Sequence, residues 1–255
     1  MKSATTVTKL CRVMEQFQNR QSFGITDLAH RAELLPSDVH RLLTSLRVFG
    51  YIEQDPETKK YRLGISLLRL ATFHREQLCG RARPVLVQLS RHVAAATWLA
   101  LLDRREMKMF VLDQVKGPTD SVCEDNFGES ERLQCTALGK TIIANLSPDV
   151  AFSALEKSEL KKYTRHTVTD RSVLQRQFQE IRRLGYAVDR EEYMDGLCCL
   201  ASPLRSRAGS VIGAISASMS SSRFAAWDES RLGAHLKAAA LRMSATLGDS
   251  RAALI

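Results

Sequence analysis

The stretch LLPSDVHRLLTSLRVFGYIEQDPETKKYRLG, Leu34 to Gly64, sets two kinds of residue against each other. At 100° per residue, Val39, Leu42, Leu43, Leu46 and Phe49 share one helical face. Ser37, His40, Arg41 and Thr44 then stand opposite, with Arg47 at the edge. An arginine fork fits guanine O6/N7 or a phosphate, and hydroxyls reach phosphates or base edges. Asp38 has three open roles: favouring the helix dipole, repelling a phosphate, or accepting from a cytosine amine. Lys59, Lys60 and Arg62 follow in or beside a basic turn, placed to reach a nucleic-acid backbone or minor groove.

A second set lies further along. In CTALGK, Thr136 is placed as an N-cap, and the first N–H groups of the helix it opens suit an anion. Lys140, one turn in, either strengthens that preference or points to solvent. Ser216 and Ser218 share one face of a strand at period two. The acids Asp189, Glu191, Glu192 and Asp195 lack the ligand alternation and fixed glycine of a calcium loop, so no metal is expected. Cys198–Cys199 with His166 has no nucleophile signature, so neither catalytic residues nor a cofactor are expected, and the chain does not read as an enzyme. The six cysteines (11, 79, 123, 135, 198 and 199) form no C-x-x-C pair, which argues against structural zinc and for buried free thiols.

These residues need elements to hold them. Val7, Leu10, Cys11, Met14 and Phe17 predict a first helix. Thr26 is a natural N-cap for a second, with Leu28, Ala29 and Ala32 inward. Pro36 suits the first turn of the third, and Gly50 its left-handed end. YIEQ and YRLG then pair around DPETKK. Three short helices and a hairpin make a winged helix-turn-helix over 1–65. ISLLRLATFHREQL reads as a linker helix, 66–80. Beyond it, 81–248 clusters strands (TWLALL, MKMFVLDQV, LCCLASPL, SVIGAISASM) and helices without strict alternation, so the fold class is α+β with an antiparallel sheet, ending in a tail, 249–255.

Charge is uneven. The net is +9, and residues 1–83 carry 14 Lys/Arg against 8 Asp/Glu, net +6, which points to a polyanionic partner for the first third. No apolar run approaches a membrane span or a leader's apolar region, so a cytoplasmic protein with no membrane partner is expected.

Four blocks in order, SDVHRLLTSLRVFGYI with YRLG, CTALGK, IRRLGYAVDREEYMDGLCCLASPL and SVIGAISASMSSSR, resemble the isocitrate lyase regulator (IclR) family of bacterial transcription factors over nearly the whole chain. The resemblance implies a winged domain, a linker helix and a GAF-like effector domain. It also implies a homodimer or homotetramer, double-stranded operator DNA, and a small carboxylic acid (keto, hydroxy or aromatic) as effector of a catabolic operon. Thr26, Ser37, Asp38, His40, Arg41, Thr44, Arg47, Lys59, Lys60 and Arg62 form the implied DNA-facing set. Cys123, Thr136, Ala137, Leu138, Asp189, Leu197, Cys199, Ser216 and Ser218 form the implied effector pocket. The alternative is a metabolite sensor acting through protein partners without sequence-specific DNA binding.

Overall fold

The computed structural model describes residues 5–18, 22–117, 128–130, 132–157 and 159–251. Two compact units divide between Glu76 and Gln77. The first unit holds α1 (Thr6–Glu15), a 3-10 turn (Gln16–Gln18), α2 (Ile25–Ala32), α3 (Pro36–Val48) and the antiparallel pair β1 (Ile52–Gln54) and β2 (Tyr61–Leu63). Its core joins Val13, Phe17, Phe23, Leu28, Leu43 and Ile52, with Phe23 also bridging to Tyr61. Burying that apolar stripe fixes how α3 is presented.

Three local expectations are corrected. Gly24, extended at φ −78° and ψ 161°, is the N-cap of α2, and Thr26 lies exposed inside the helix. That extended backbone is open to any residue, and Gly24 makes no side-chain cap bond, so the helix starts earlier than the hydroxyl signal implies. Phe49 is not buried: α3 ends at Val48, and the ring is 68% exposed, stacked on Tyr51. In α1 the fully buried residue is Val13; Leu10 and Met14 pack half-buried on this core and Phe17 is buried just beyond the helix, whereas Val7 and Cys11 are exposed, so only part of the expected stripe faces inward. Gly50, at φ +69°, does follow α3 in the left-handed conformation.

The helix expected at 66–80 is longer. α4 runs unbroken from Ile65 to Val93 through Pro84. Its second half buries Leu78, Ala82, Leu86, Leu89 and Val93, spaced three or four apart, while Ile65, Leu68, Leu70 and Phe73 are more than half exposed.

The second unit is built on one antiparallel six-stranded sheet: β3 (Ala96–Asp103), β4 (Lys108–Val115), β5 (Gly128–Ser130), β6 (Ala187–Arg190), β7 (Leu197–Arg205) and β8 (Val211–Ser220), in the order β5-β4-β3-β8-β7-β6. β5 and β6, three and four residues long, are too short to show a period in sequence. α5 (Ala137–Ala144), α6 (Pro148–Lys157) and α7 (Arg171–Leu184) follow β5, and α8 (Ser221–Ala225) and α9 (Glu229–Arg251) follow β8. One sheet face packs on α4 and α9 through Leu99, Leu101, Leu200, Ile215 and Ala217. The other packs on α5, α6 and α7 through Trp98, Ala100, Ala187, Ala201 and Ala214. Strand residues alternate between these two cores, as period two requires. None of the described helices is long and apolar enough to cross a membrane.

Candidate functional site

On α3, the four apolar positions Val39, Leu42, Leu43 and Leu46 are buried, and Ser37, His40, Arg41, Thr44 and Arg47 are exposed. Thr44 Oγ1 donates back to the His40 carbonyl at 2.9 Å, so that hydroxyl is partly engaged. Arg41 keeps a 71% exposed side chain, 3.5 Å from Asp38. Arg47 leans the other way, donating to Gln54 Oε1 of β1 at 3.1 Å. In the wing, Asp55 Oδ1 accepts from the Thr58 and Glu57 amides at 2.7 and 3.1 Å, which fixes the turn and leaves Lys59 and Lys60 exposed. Arg62 donates to Glu53 across the β1–β2 register, so its charge is half-compensated.

Asp38 has a protein partner. Lys9 of α1 donates to its Oδ2 at 2.7 Å, and that hydrogen bond holds its carboxyl below the ordinary 3.8. It ties α1 to the start of α3.

The second candidate site lies on the α5 face of the sheet. The strand register sets Asp189 of β6 opposite Cys199 of β7, Cys199 opposite Ser218 of β8, and Ser218 opposite Ala96 of β3. A second row runs Ala187, Ala201, Ser216, Trp98, Gln114. Directly opposed residues project on one face, so Asp189, Cys199, Ser216 and Ser218 stand on one surface, with Leu197 two residues from Cys199. Asp189, Ser216, Ser218 and Leu197 are buried, and Cys199 Sγ donates to Ser218 Oγ at 3.1 Å.

α5 covers this surface. Thr136 is its N-cap, accepting from the Gly139 amide at 3.1 Å, with Ala137 and Leu138 as its first two residues. Thr141 Oγ1 donates to the Ala201 carbonyl at 3.1 Å, so the helix rests directly on β7. Gly139 is required by another approach: a Cβ there would meet Leu133 backbone atoms at 2.4 Å.

Lys140 does not reach solvent. It is 1% exposed and ion-paired with Glu192. Glu192, 6% exposed, was not singled out in the sequence, since nothing there distinguishes it from its acidic neighbours. Burial outweighs Lys140 and raises its carboxyl, and Glu192 Oε2 has no hydrogen-bond partner among the described residues. Burial also pushes the Asp189 carboxyl from 3.8 up to about 7, although its Oδ1 accepts from the Glu192 amide at 2.7 Å. Cys123 lies outside the described residues.

The thiols of Cys79 and Cys199 are engaged, with the Leu112 carbonyl at 3.7 Å and Ser218 Oγ at 3.1 Å. Cys135 and Cys198 are buried, their thiols pushed up by burial to about 12 and 11, which makes them poor nucleophiles. Cys11, however, is exposed, contrary to the expectation of burial. His166, Glu191 and Asp195 bring possible ligand atoms within 4.8 Å of one another. His166 Nε2 already takes Arg165 at 2.9 Å, and Glu191 Oε2 takes the Gly196 amide at 2.7 Å, so we assign no metal.

A three-helix unit presenting a polar helix beside a wing, followed by an antiparallel sheet clad in helices, defines a two-unit DNA-binding transcriptional regulator. The chain belongs to the IclR family: residues 6–56 match the IclR helix-turn-helix domain, and residues 70–245 match the bacterial transcriptional regulator IclR C-terminal domain. It is 30% identical to the HTH-type transcriptional regulator XynR of Escherichia coli (strain K12) over 245 residues, 95% of this chain and 96% of XynR. The Thermotoga maritima IclR structure superposes with a TM-score of 0.65 at 25% identity, covering 95% of this chain and 98% of that one. An IclR homolog from Microbacterium hydrocarbonoxydans, complexed with 4-hydroxybenzoate, gives a TM-score of 0.68 at 24% identity, covering 95% and 99%. The relatives named are regulators, not enzymes.

Proposed function

We propose that this regulator senses a small organic acid, keto, hydroxy or aromatic, on the α5 face of its sheet and controls a catabolic operon in response. The observation carrying this is the gathering of Asp189, Cys199, Ser218 and Ser216 on one buried surface under the N-terminus of α5. An α-helix leaves its first N–H groups without intrahelical partners. Thr136 takes that of Gly139, and those of Ala137 and Leu138 remain for a carboxylate. Lys140 is spent on Glu192, so the anion is held by backbone dipoles and hydroxyls instead of a free cation. Asp189 then serves as a donor: titrating near 7, it takes up a proton beside an anionic ligand.

Ser37, His40 and Arg41 contact bases, and Lys59, Lys60 and Arg62 contact backbone. The acid shifts the population between states of different operator affinity. The exposed apolar residues Ile65, Leu68, Leu70 and Phe73 of α4, with Val7 of α1, are the surface of a homodimer or a larger homo-oligomer, which pairs with a symmetric operator.

The test is a gel shift on operator fragments with and without candidate acids, 4-hydroxybenzoate first. The double change Ser216→Ala, Ser218→Ala should abolish the response while operator binding without acid persists. Full ligand affinity in that variant contradicts the assignment of the pocket.

A further inference from the structure

Gln114 is 6% exposed, and its Nε2 has no hydrogen-bond partner among the described residues. Buried amides are almost always paired, so such a donor calls for an explanation. Its direction is fixed by the strand. Gln114 opposes Trp98 in the β3–β4 register, whereas its neighbour Asp113 opposes Leu99 and takes Arg83 of α4 at 2.8 Å on the other face. Gln114 therefore projects onto the α5 face, in the same row as Trp98 and Ser216. With neighbouring strands 4.7–4.9 Å apart, Gln114 and Ser216 are separated by about 10 Å at the backbone. Between them stands an indole.

We propose that Gln114 is a ligand-contacting, specificity-determining residue, and that the site takes a ring-sized acid with a second polar group. The ring lies along Trp98. Ser216 and Ser218 hold one end, and the Gln114 amide donates to an oxygen at the other. A two- or three-carbon acid cannot reach both ends. This rests on the acid-sensing function proposed above and narrows its ligand class to bifunctional cyclic acids.

The experiment compares wild type, Gln114→Met and Gln114→Glu by thermal unfolding and calorimetric titration, with glyoxylate, pyruvate, benzoate and 4-hydroxybenzoate as probes. Gln114→Met keeps the shape and removes the donor; Gln114→Glu replaces the donor by an acceptor. We expect the full chain to bind 4-hydroxybenzoate more tightly than benzoate or the small acids. Gln114→Met should erase that preference, weakening 4-hydroxybenzoate about tenfold, the value of one good hydrogen bond. Its melting temperature without acid should not fall, because none of the described residues accepts from the Gln114 Nε2 that the change removes. Gln114→Glu should bind every acid more weakly still. Equal 4-hydroxybenzoate affinity in wild type and both variants overturns the Gln114 contact and leaves acid sensing intact. A preference of the wild type for glyoxylate or pyruvate overturns the ring-sized class. A marked drop in ligand-free melting temperature for both variants makes Gln114 a structural residue and also overturns the proposal. If none of the four probes binds, both the acid-sensing function and this contact fail together.

Discussion

The exposed face of α3 and the α5 face of the sheet handle polar groups in opposite ways. On α3, Ser37, His40 and Arg41 stand in water, and Arg41 lies a long 3.5 Å from Asp38, whose closer partner is Lys9 at 2.7 Å. Such a face costs the fold almost nothing, since water satisfies it until a polyanion arrives. On the sheet, Lys140, Glu192, Asp189 and Gln114 are buried, and their desolvation must be met by partners. Among the described residues, two atoms there, Gln114 Nε2 and Glu192 Oε2, find no hydrogen-bond partner. A surface site can be freely assembled from charge, whereas a buried site is tied to the stability of its own unit. Mutations should separate the two: binding alone should change on α3, and folding with binding on the sheet.

The largest effect is expected at the buried ion pair. Lys140→Met leaves Glu192 buried without its cation and should destabilise the chain by about 3–5 kcal/mol in denaturant unfolding. Adding Glu192→Leu should restore most of that, because two apolar groups of similar volume need no partners. A loss below about 1 kcal/mol for Lys140→Met alone would mean that the pair behaves like a surface bridge, and the contrast would collapse.

Asp189 gives the next effect, with a definite pH window. Its folded value of about 7 lies above the ordinary 3.8, so between those values the folded chain keeps a proton that the unfolded chain has lost. Stability from this group is complete below about pH 4 and drains away as pH rises through 7, a difference of up to about 4 kcal/mol. Asp189→Asn should flatten that slope, and its advantage over wild type should grow from pH 5 to pH 8. Parallel stability curves would show that Asp189 is ionised in the fold at no cost.

Third comes Arg41→Ala, on the exposed face. It should weaken operator binding by about 1–3 kcal/mol if the guanidinium contacts a base, with unfolding unchanged. Loss of stability instead of affinity would erase the distinction between the two regions.

The same contrast explains what could be seen in the sequence. The winged unit was legible because its core repeats at helical spacing and its polar face is the complement of that stripe, so Arg41 and His40 follow from Leu42 and Leu43. Errors fell at ends, where one residue decides: Gly24 caps α2 in place of Thr26, and Phe49 sits one residue past α3. In the proposed pocket, the shared face of Ser216 and Ser218 follows from period two, whereas Asp189 and Cys199 are marked only by family resemblance, since their meeting with the serines depends on strand order. Lys140–Glu192, 52 residues apart, left no local trace. Gln114 did leave one, the pair Asp-Gln interrupting the apolar run of MKMFVLDQV, but which face it takes needed the register and the bulge between Leu99 and Ala100.

The smallest effect tests the one acid on α3. Asp38 has three roles open to it in sequence, helix-dipole partner, electrostatic brake or base reader, and the structure adds a fourth, since it accepts from Lys9 at 2.7 Å. Its carboxyl is held below 3.8, so whatever it adds to stability is present above that pH and is lost as pH falls through the folded value. Asp38→Ala should therefore lower the melting temperature slightly at pH 7, and the difference should vanish near pH 2. The same change removes a negative charge from beside Arg41 and frees Lys9, so affinity for DNA of any sequence should rise, with a steeper salt dependence. That outcome makes Asp38 a clamp between α1 and α3 that also tempers nonspecific binding. If affinity instead falls only on operators with a particular C·G pair intact, Asp38 reads that cytosine, and the exposed face contains a base contact hidden inside an ion pair.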